Sequence, residues 1–109
     1  MHEELAALRE GLRSASLDVK AKSAFDLGKM GVEAKEALGD ILDVYFNEAL
    51  DFNTWSNIAK AVQRIVFYAS QKHNHSPAKY VHKRIESELS SIDPARREKA
   101  ALLTRYIPS

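Results

Sequence analysis

The chain has 109 residues, 45% hydrophobic and 28% charged, which is the ordinary composition of one modest globular domain. It contains no cysteine, so disulfides, thiolate metal ligands and a cysteine nucleophile are excluded. The opening stretch MHEELAALREGL lacks the basic leader and apolar core of a signal peptide, and no apolar run is long enough to span a membrane. We therefore expect a single domain over residues 1–109, located in the cytoplasm and without a membrane partner.

The formal net charge of +1 hides an asymmetry between the two halves of the chain. Residues 1–51 hold six Lys or Arg against eleven Asp or Glu, a net charge of −5, whereas residues 52–109 hold ten against four, a net charge of +6. Such polarity affects association and steering of partners rather than the fold.

The first half of the chain predicts three helices from apolar residues at helical spacing. The first is expected over about residues 3–13, on a stripe of Leu5, Leu8 and Leu12, and the second over about residues 17–30. The second stripe consists of Leu17, Ala21, Ala24, Phe25 and Gly28, and Gly31 is expected to end this helix. The third is the most clearly amphipathic and carries Ala34, Leu38, Ile41, Leu42, Tyr45 and Ala49.

The second half predicts three more helices, each with a start signal. The fourth begins near residue 52 with Asp51 or Asn53 as its cap, and its apolar stripe is Trp55, Ile58, Ala59, Val62, Ile65, Val66 and Ala69. The fifth begins with Ser76 as its cap, followed by Pro77, and carries Ala78, Val81, Ile85 and Leu89. The sixth begins at Asp93 and Pro94, carries Ala100, Leu103, Tyr106 and Ile107, and ends at Pro108.

No segment shows the alternation of a strand, so the expected fold class is all-α. The predicted linkers span two to seven residues, which favours antiparallel packing of consecutive helices.

The chain also shows weak self-similarity, because superposing Ala24 on Ala59 and on Ala100 aligns three segments. In this register Lys20 falls on Trp55 and Arg96. The segment LRSASLDVKAKSAFDLGKMGVEAKEALGDIL resembles a HEAT-like repeat of the short bacterial type through Asp18, Val19, Lys20, Ala24, Leu27, Gly28, Gly31, Ala37 and Leu38. The segment ESELSSIDPARREKAALL resembles the first half of another unit through Leu89, Asp93, Pro94, Arg96, Ala100, Ala101 and Leu103.

The resemblance implies a short right-handed α-solenoid of about six antiparallel helices. In such a stack Ala24 and Gly28 would allow a close approach of neighbouring helices, the alternative being a solvent-facing position for both. The sixth helix would have no partner helix after it. Some of Leu102, Leu103, Tyr106 and Ile107 are therefore expected to be exposed, and self-association through this C-terminal helix would cover them.

Sequence patterns of catalysis and metal binding are scarce. His73, His75 and His82 lack the spacing of a zinc site, and a solvated loop explains the first two better. No nucleophile has an evident base and no phosphate-binding glycine loop occurs, so we expect neither an enzyme nor a cofactor. Trp55 lies on an apolar stripe and is expected in the core.

The function that the resemblance implies is binding of another protein, as a small adaptor, regulator or inhibitor. The alternative is a nucleic-acid-binding accessory domain that uses the basic cluster of Lys79, Lys83, Arg84, Arg96, Arg97 and Lys99, although three glutamates interrupt it.

The predicted partner-binding residues lie on the third and fifth helices, which a HEAT-like stack would place side by side. They form a mostly acidic stripe on the third helix and a mixed stripe on the fifth: Glu36, Asp40, Asp43, Asn47, Lys79, Lys83 and Glu86. The two stripes either neutralise each other or remain free for a partner of matching polarity.

Overall fold

A computed structural model describes residues 2–30, 36–48 and 50–107 of the chain. These residues form six α-helices and no strand, so the all-α prediction is confirmed for the described part of the chain. The helices are α1 (His2–Leu12), α2 (Leu17–Met30), α3 (Leu38–Asn47), α4 (Phe52–Gln71), α5 (Ser76–Leu89) and α6 (Pro94–Tyr106). Gly31, Ala34, Ala49 and Pro108, which entered the helix predictions, lie outside the described residues.

Helix α4 is the centre of the fold and contacts α2, α3, α5 and α6. Its fully buried stripe includes Ile58, Val62 and Ile65, as the apolar spacing predicts. Helix α1 packs on α2 and α5 packs on α6, while α3 also contacts α1 and α6. Consecutive helices α2 and α3 make few backbone contacts among the described residues, so short linkers did not make every pair of consecutive helices direct neighbours.

Helices α2 and α4 approach each other closely at Gly28. A Cβ atom added to Gly28 would lie 3.1 Å from the Cα of Ala61 and 3.4 Å from its Cβ. Ala24, one turn earlier, has no exposed surface. These small residues therefore permit close helix packing. The alternative interpretation, that both face solvent, is wrong.

A buried lysine joins the ends of α1 and α3 to the start of α2. Lys20 is only 4% exposed, and its Nζ donates to the backbone oxygen of Leu12 at 2.8 Å. The same Nζ lies 2.6 Å from Oε1 of Glu48, the residue after α3. Its charge is thus compensated in the interior, as a buried cation requires.

The helix starts follow local capping chemistry, with one correction. Asp51 caps α4 by accepting a hydrogen bond from the Thr54 backbone at 3.1 Å, and Asp93 caps α6 through the Ala95 backbone at 2.9 Å. Ser76, however, is the first residue of α5 rather than its cap, and its N–H donates to Oδ1 of Asn74. The asparagine supplies the side-chain acceptor because it lies two residues before the amide, as in an Asx turn.

Three apolar residues assigned to core stripes are instead exposed. Leu17, Phe25 and Leu89 retain 37%, 45% and 45% of their surface. Each lies at the margin of its stripe, where periodicity alone does not show whether a neighbouring helix covers the position. In contrast, Leu103 and Ile107 of the C-terminal helix region are buried, and Leu102 and Tyr106 are partly buried.

Candidate functional site

The seven predicted partner-binding residues, which we call the α3–α5 face, lie on α5, on α3 or directly before α3, and among the described residues no hydrogen bond or ion pair joins Lys79, Lys83 or Glu86 to the others. Glu36 precedes α3 and is exposed, while the other predicted residues of this half lie on α3 itself. Lys79, Lys83 and Glu86 are exposed on α5. A Cβ added to Gly39 of α3 would lie 3.1 Å from the Tyr80 hydroxyl of α5, so the two helices approach each other at this end.

Most of the acidic stripe on α3 is engaged with arginines from other helices. Asp40 Oδ2 lies 2.7 Å from Nε of Arg9 in α1, and Asp43 Oδ1 lies 2.9 Å from a guanidinium nitrogen of Arg84 in α5. Asn47 accepts a hydrogen bond from Arg96 in α6. Three arginines from three different helices therefore hold the polar stripe of α3: Arg9, Arg84 and Arg96. Lys79 and Lys83 form no ion pair within 4.0 Å in the described part of the chain.

A buried glutamate extends this network between α5 and α6. Glu88 is 7% exposed, and its Oε2 lies 2.6 Å from Arg96 and 3.5 Å from Arg84. The Arg84 guanidinium also stacks over the ring of Phe46, 5.2 Å from its centroid. Two guanidiniums held against one carboxylate tie α5 to α6.

The remaining cations of the predicted nucleic-acid cluster also donate to protein acceptors. Lys99 Nζ lies 2.8 Å from the backbone oxygen of Glu48, and burial lowers the pKa of this lysine. Arg97 donates to the backbone oxygen of Ser91 at 2.7 Å. Four of the six cations in that cluster are therefore held by the fold, and only Lys79 and Lys83 project as exposed ammonium groups without such a contact among the described residues.

A second surface, which the sequence analysis missed, is a groove along α4 between α2 and the end of α6. It contains a cavity of about 520 Å³ lined by Gln63, Arg64, Val66, Phe67, Tyr68, Ser70, Tyr106 and Ile107. A smaller cavity of about 150 Å³ shares Arg64 with it and is lined by Phe25, Asn57, Lys60, Ala61 and Arg64. We call these two cavities together the α4 groove.

Exposed aromatic side chains border the α4 groove. Phe67 is 56% exposed and Tyr68 is 43% exposed, and their rings lie edge to face at 6.0 Å. Phe25 carries the Arg64 guanidinium at 5.2 Å and the Lys29 ammonium at 5.3 Å from its centroid. The signal in the sequence was the stripe Lys60, Arg64 and Phe67 on the polar side of an otherwise apolar helix, but periodicity did not show that α2 and α6 would enclose it.

The other large cavity lies where the first turns of α3 and α5 meet. It measures about 460 Å³ and is lined by Glu36, Leu38, Gly39, Asn74, Ser76, Pro77 and Tyr80. It brings Glu36 close to the first turn of α5, whereas none of the other six residues of the α3–α5 face lines it.

Three of the histidines and the tryptophan lie in different surroundings. His73 has a positive φ of 60° and is exposed in the α4–α5 loop with His75, while Nε2 of partly buried His82 has no hydrogen-bond partner. Trp55 packs partly buried against the core, 6.0 Å from the ring of Tyr45. Across residues 2–30, 36–48 and 50–107, no group of three or more potential ligands could hold a metal ion.

Comparison of the chain with family models, with curated proteins and with solved structures found no match. No helix in the described segments has the length and apolar character needed to cross a membrane.

Proposed function

We propose that the chain is a protein-interaction module without catalytic activity, built as a short right-handed stack of HEAT-like repeats. In such a stack alternate helices form two layers. The contacts α2 with α4 and α4 with α6 fit one layer, and the contact α1 with α3 fits the other. The Cα extents of 39 × 35 × 17 Å support this arrangement, because two helix layers pack about 8 to 10 Å apart.

Equivalent cations in the first and last units also favour the repeat interpretation. Lys20 and Arg96 occupy matching positions in the register that superposes Ala24 on Ala100. Each reaches back eight residues to the end of the preceding helix, at Leu12 and Glu88 respectively. Each also reaches the end of α3, where Lys20 contacts Glu48 and Arg96 contacts Asn47.

The observation that carries the binding function is the exposed aromatic pair Phe67 and Tyr68 beside a cavity of about 520 Å³. Large apolar groups left in contact with water at a concave surface are typical of interaction sites. Aromatic residues also dominate the binding energy of protein interfaces. The α4 groove therefore joins the α3–α5 face as a candidate docking surface, and the lack of cysteine suits the reducing cytoplasm where we propose that it acts.

Nucleic-acid binding remains the second candidate, now on a different surface. Lys29 and Arg64 stack on Phe25, and Lys60 lines the adjoining cavity. Cations beside an exposed ring can hold phosphate and a stacked base. Such binding would weaken steeply with salt because phosphate contacts release counterions.

Capture from nuclease-treated lysate of the source cells tests these alternatives with two matched surface variants. Phe67→Asp alters the α4 groove, and the double variant Lys79→Glu with Lys83→Glu alters the α3–α5 face. A protein that is retained by the wild type and lost with only one variant supports the interaction function and locates its surface. The interaction function would be contradicted if the wild type retained no specific protein. It would also be contradicted if a parallel capture from untreated lysate retained nucleic acid alone.

A further inference from the structure

The α4 groove combines positive charge with an apolar cavity along a single helix. Residues 52–71 contain no Asp or Glu, and Lys60, Arg64 and Phe67 follow one another at helical spacing on the exposed side. Arg64 lines both cavities, and together their lining residues on α4 extend from Asn57 to Ser70. At 1.5 Å per residue this stretch is about 20 Å long.

The cations of the groove have no internal counter-charge among the described residues. Lys29, Lys60 and Arg64 each have no carboxylate oxygen of a described residue within 4.0 Å of their charged nitrogens. Asp26, the residue after Phe25, forms no ion pair with a described residue either. This differs from the α3–α5 face, where Arg84 is compensated by Asp43 and Glu88. The α4 groove thus offers unpaired positive charge to an approaching molecule.

We propose that the α4 groove binds an acidic amphipathic helix of a partner protein; this deepens, and rests on, the proposed interaction function. Lys60 and Arg64 are one helical turn apart, which matches two carboxylates at positions i and i+4 of a docked helix. An apolar side chain of the same helix would enter the larger cavity between Phe67 and Tyr106. Charge would orient the helix while the aromatic cavity holds its anchor.

A protein helix suits this groove better than a nucleic acid does. The larger cavity is bordered mainly by Val66, Phe67, Tyr106 and Ile107, and Arg64 is its only cationic lining residue among the described ones. A phosphate backbone needs a series of cations along its path, whereas an apolar side chain needs a concave apolar wall.

Fluorescence anisotropy with three labelled probes tests the proposal. The first probe is a 16-residue helical peptide with leucine at positions 2, 6, 9 and 13 and glutamate as its main polar residue. The second has lysine in place of each glutamate, and the third is a 16-nucleotide oligothymidine. We expect the acidic peptide to bind at least about tenfold more tightly than either other probe in 0.15 M salt.

Variants on and away from the groove locate the binding. Lys60→Glu combined with Arg64→Glu is expected to weaken acidic-peptide binding about tenfold or more, and Phe67→Ala about fivefold or more. The control, Arg13→Glu, reverses an exposed charge between α1 and α2 that lines neither cavity, and it should change binding by less than about twofold. Thermal melts and amide chemical-shift maps of each variant confirm folding and place the bound peptide.

Equal or tighter binding of the lysine peptide or the oligothymidine would overturn the proposed partner chemistry, as would peptide-induced shifts confined to the α3–α5 face. Capture of a cellular protein that is lost with Phe67→Asp, together with no acidic-peptide binding, would overturn only the acidic-helix proposal and leave the interaction function standing. Acidic-peptide binding at α4 without capture of any cellular protein would contradict the proposed interaction function. It would leave standing only the preference of the α4 groove for an acidic helix.

Discussion

At the residue scale, Gly28 sets how closely α2 approaches α4. Its missing Cβ leaves room for the backbone of Ala61, which would lie 3.1 Å from any added carbon. Backbone cannot move aside as a flexible side chain does, so a larger residue must separate the two helices or distort them.

We therefore expect Gly28→Leu to reduce the free energy of unfolding by roughly 1 to 3 kcal/mol, and Ala24→Leu by a similar amount, because both overpack this contact. Ala101→Leu, at an exposed position of α6, is the matched control and should change it by less than about 0.5 kcal/mol. Urea unfolding followed by circular dichroism measures all three, and wild-type stability in both test variants would contradict the packing interpretation.

Glu88 shows how a single side chain ties two helices together. It is buried and receives guanidinium groups from Arg84 and Arg96, whereas the Asp43 side chain that also contacts Arg84 keeps 59% of its surface. The buried pairs of Glu88 should therefore stabilise the fold more than the exposed pair of Asp43, because water screens an exposed ion pair more strongly than a buried one.

Glu88→Gln is expected to lower the free energy of unfolding by about 1 to 3 kcal/mol, since it removes the charge between two partly buried guanidiniums. Asp43→Asn, its matched neighbour in the same network, should cost at most about 1 kcal/mol. Chemical denaturation of both variants at neutral pH makes the comparison. An equal or larger loss with Asp43→Asn would mean that Glu88 is not the central acceptor of the network.

At the scale of one element, the start of α4 depends on its capping carboxylate. Hydrogen bonds from the side chain and backbone of Thr54 lower the pKa of Asp51 below its ordinary value. A lowered pKa in the folded state means that folding stabilises the ionised carboxylate of Asp51 more than its protonated form. The resulting stabilisation is present above the unfolded-state pKa, about 3.9, and is lost as the pH falls through the lower folded-state pKa.

Asp51→Asn tests this cap, because the amide oxygen still accepts the Thr54 hydrogen bond but carries no charge. The wild type should have the higher melting temperature at pH 7, and the difference should shrink as the pH falls below about 4. Melting temperatures measured from pH 7 to pH 2.5 give the result. A difference that stays constant over this range would exclude a contribution from ionised Asp51.

At the scale of the whole molecule, the charge of the two halves is partly compensated by contacts between distant helices. The acidic α3 is joined to arginines from α1, α5 and α6, while the cations along α4 have no such partner among the described residues. The excess positive charge available for association is therefore found on α4 as well as at Lys79 and Lys83.

Self-association through the α5–α6 end is a further expected property. Leu89 is 45% exposed and Ile92 is 96% exposed beside this helix pair, and Leu102 of α6 is partly buried. We expect the wild type to dimerise at high concentration and Ile92→Glu to weaken that association, while Ala101→Glu at an exposed position of α6 leaves it unchanged. Sedimentation equilibrium measures this, and a wild type that stays monomeric at millimolar concentration would refute the expectation.

The sequence by itself determined the helices, because the signals that define them are local. The caps at Asp51 and Asp93 place the starts of α4 and α6 correctly, and the 17–30 prediction coincides with α2. Ala24 and Gly28 were likewise recognisable as packing residues, since small side chains on an apolar stripe have few other uses.

Only the tertiary structure decided which helices meet and which charges remain available. The pairing of Asp40 with Arg9 spans 31 positions and that of Asp43 with Arg84 spans 41, and no local pattern determines such partners. The same limit applies to the α4 groove, whose walls come from α2, α4 and the end of α6. Helical periodicity shows which side of a helix is apolar. Which neighbouring helix covers that side, and whether a residue such as Phe67 stays exposed to water, depends on how separate helices pack in three dimensions.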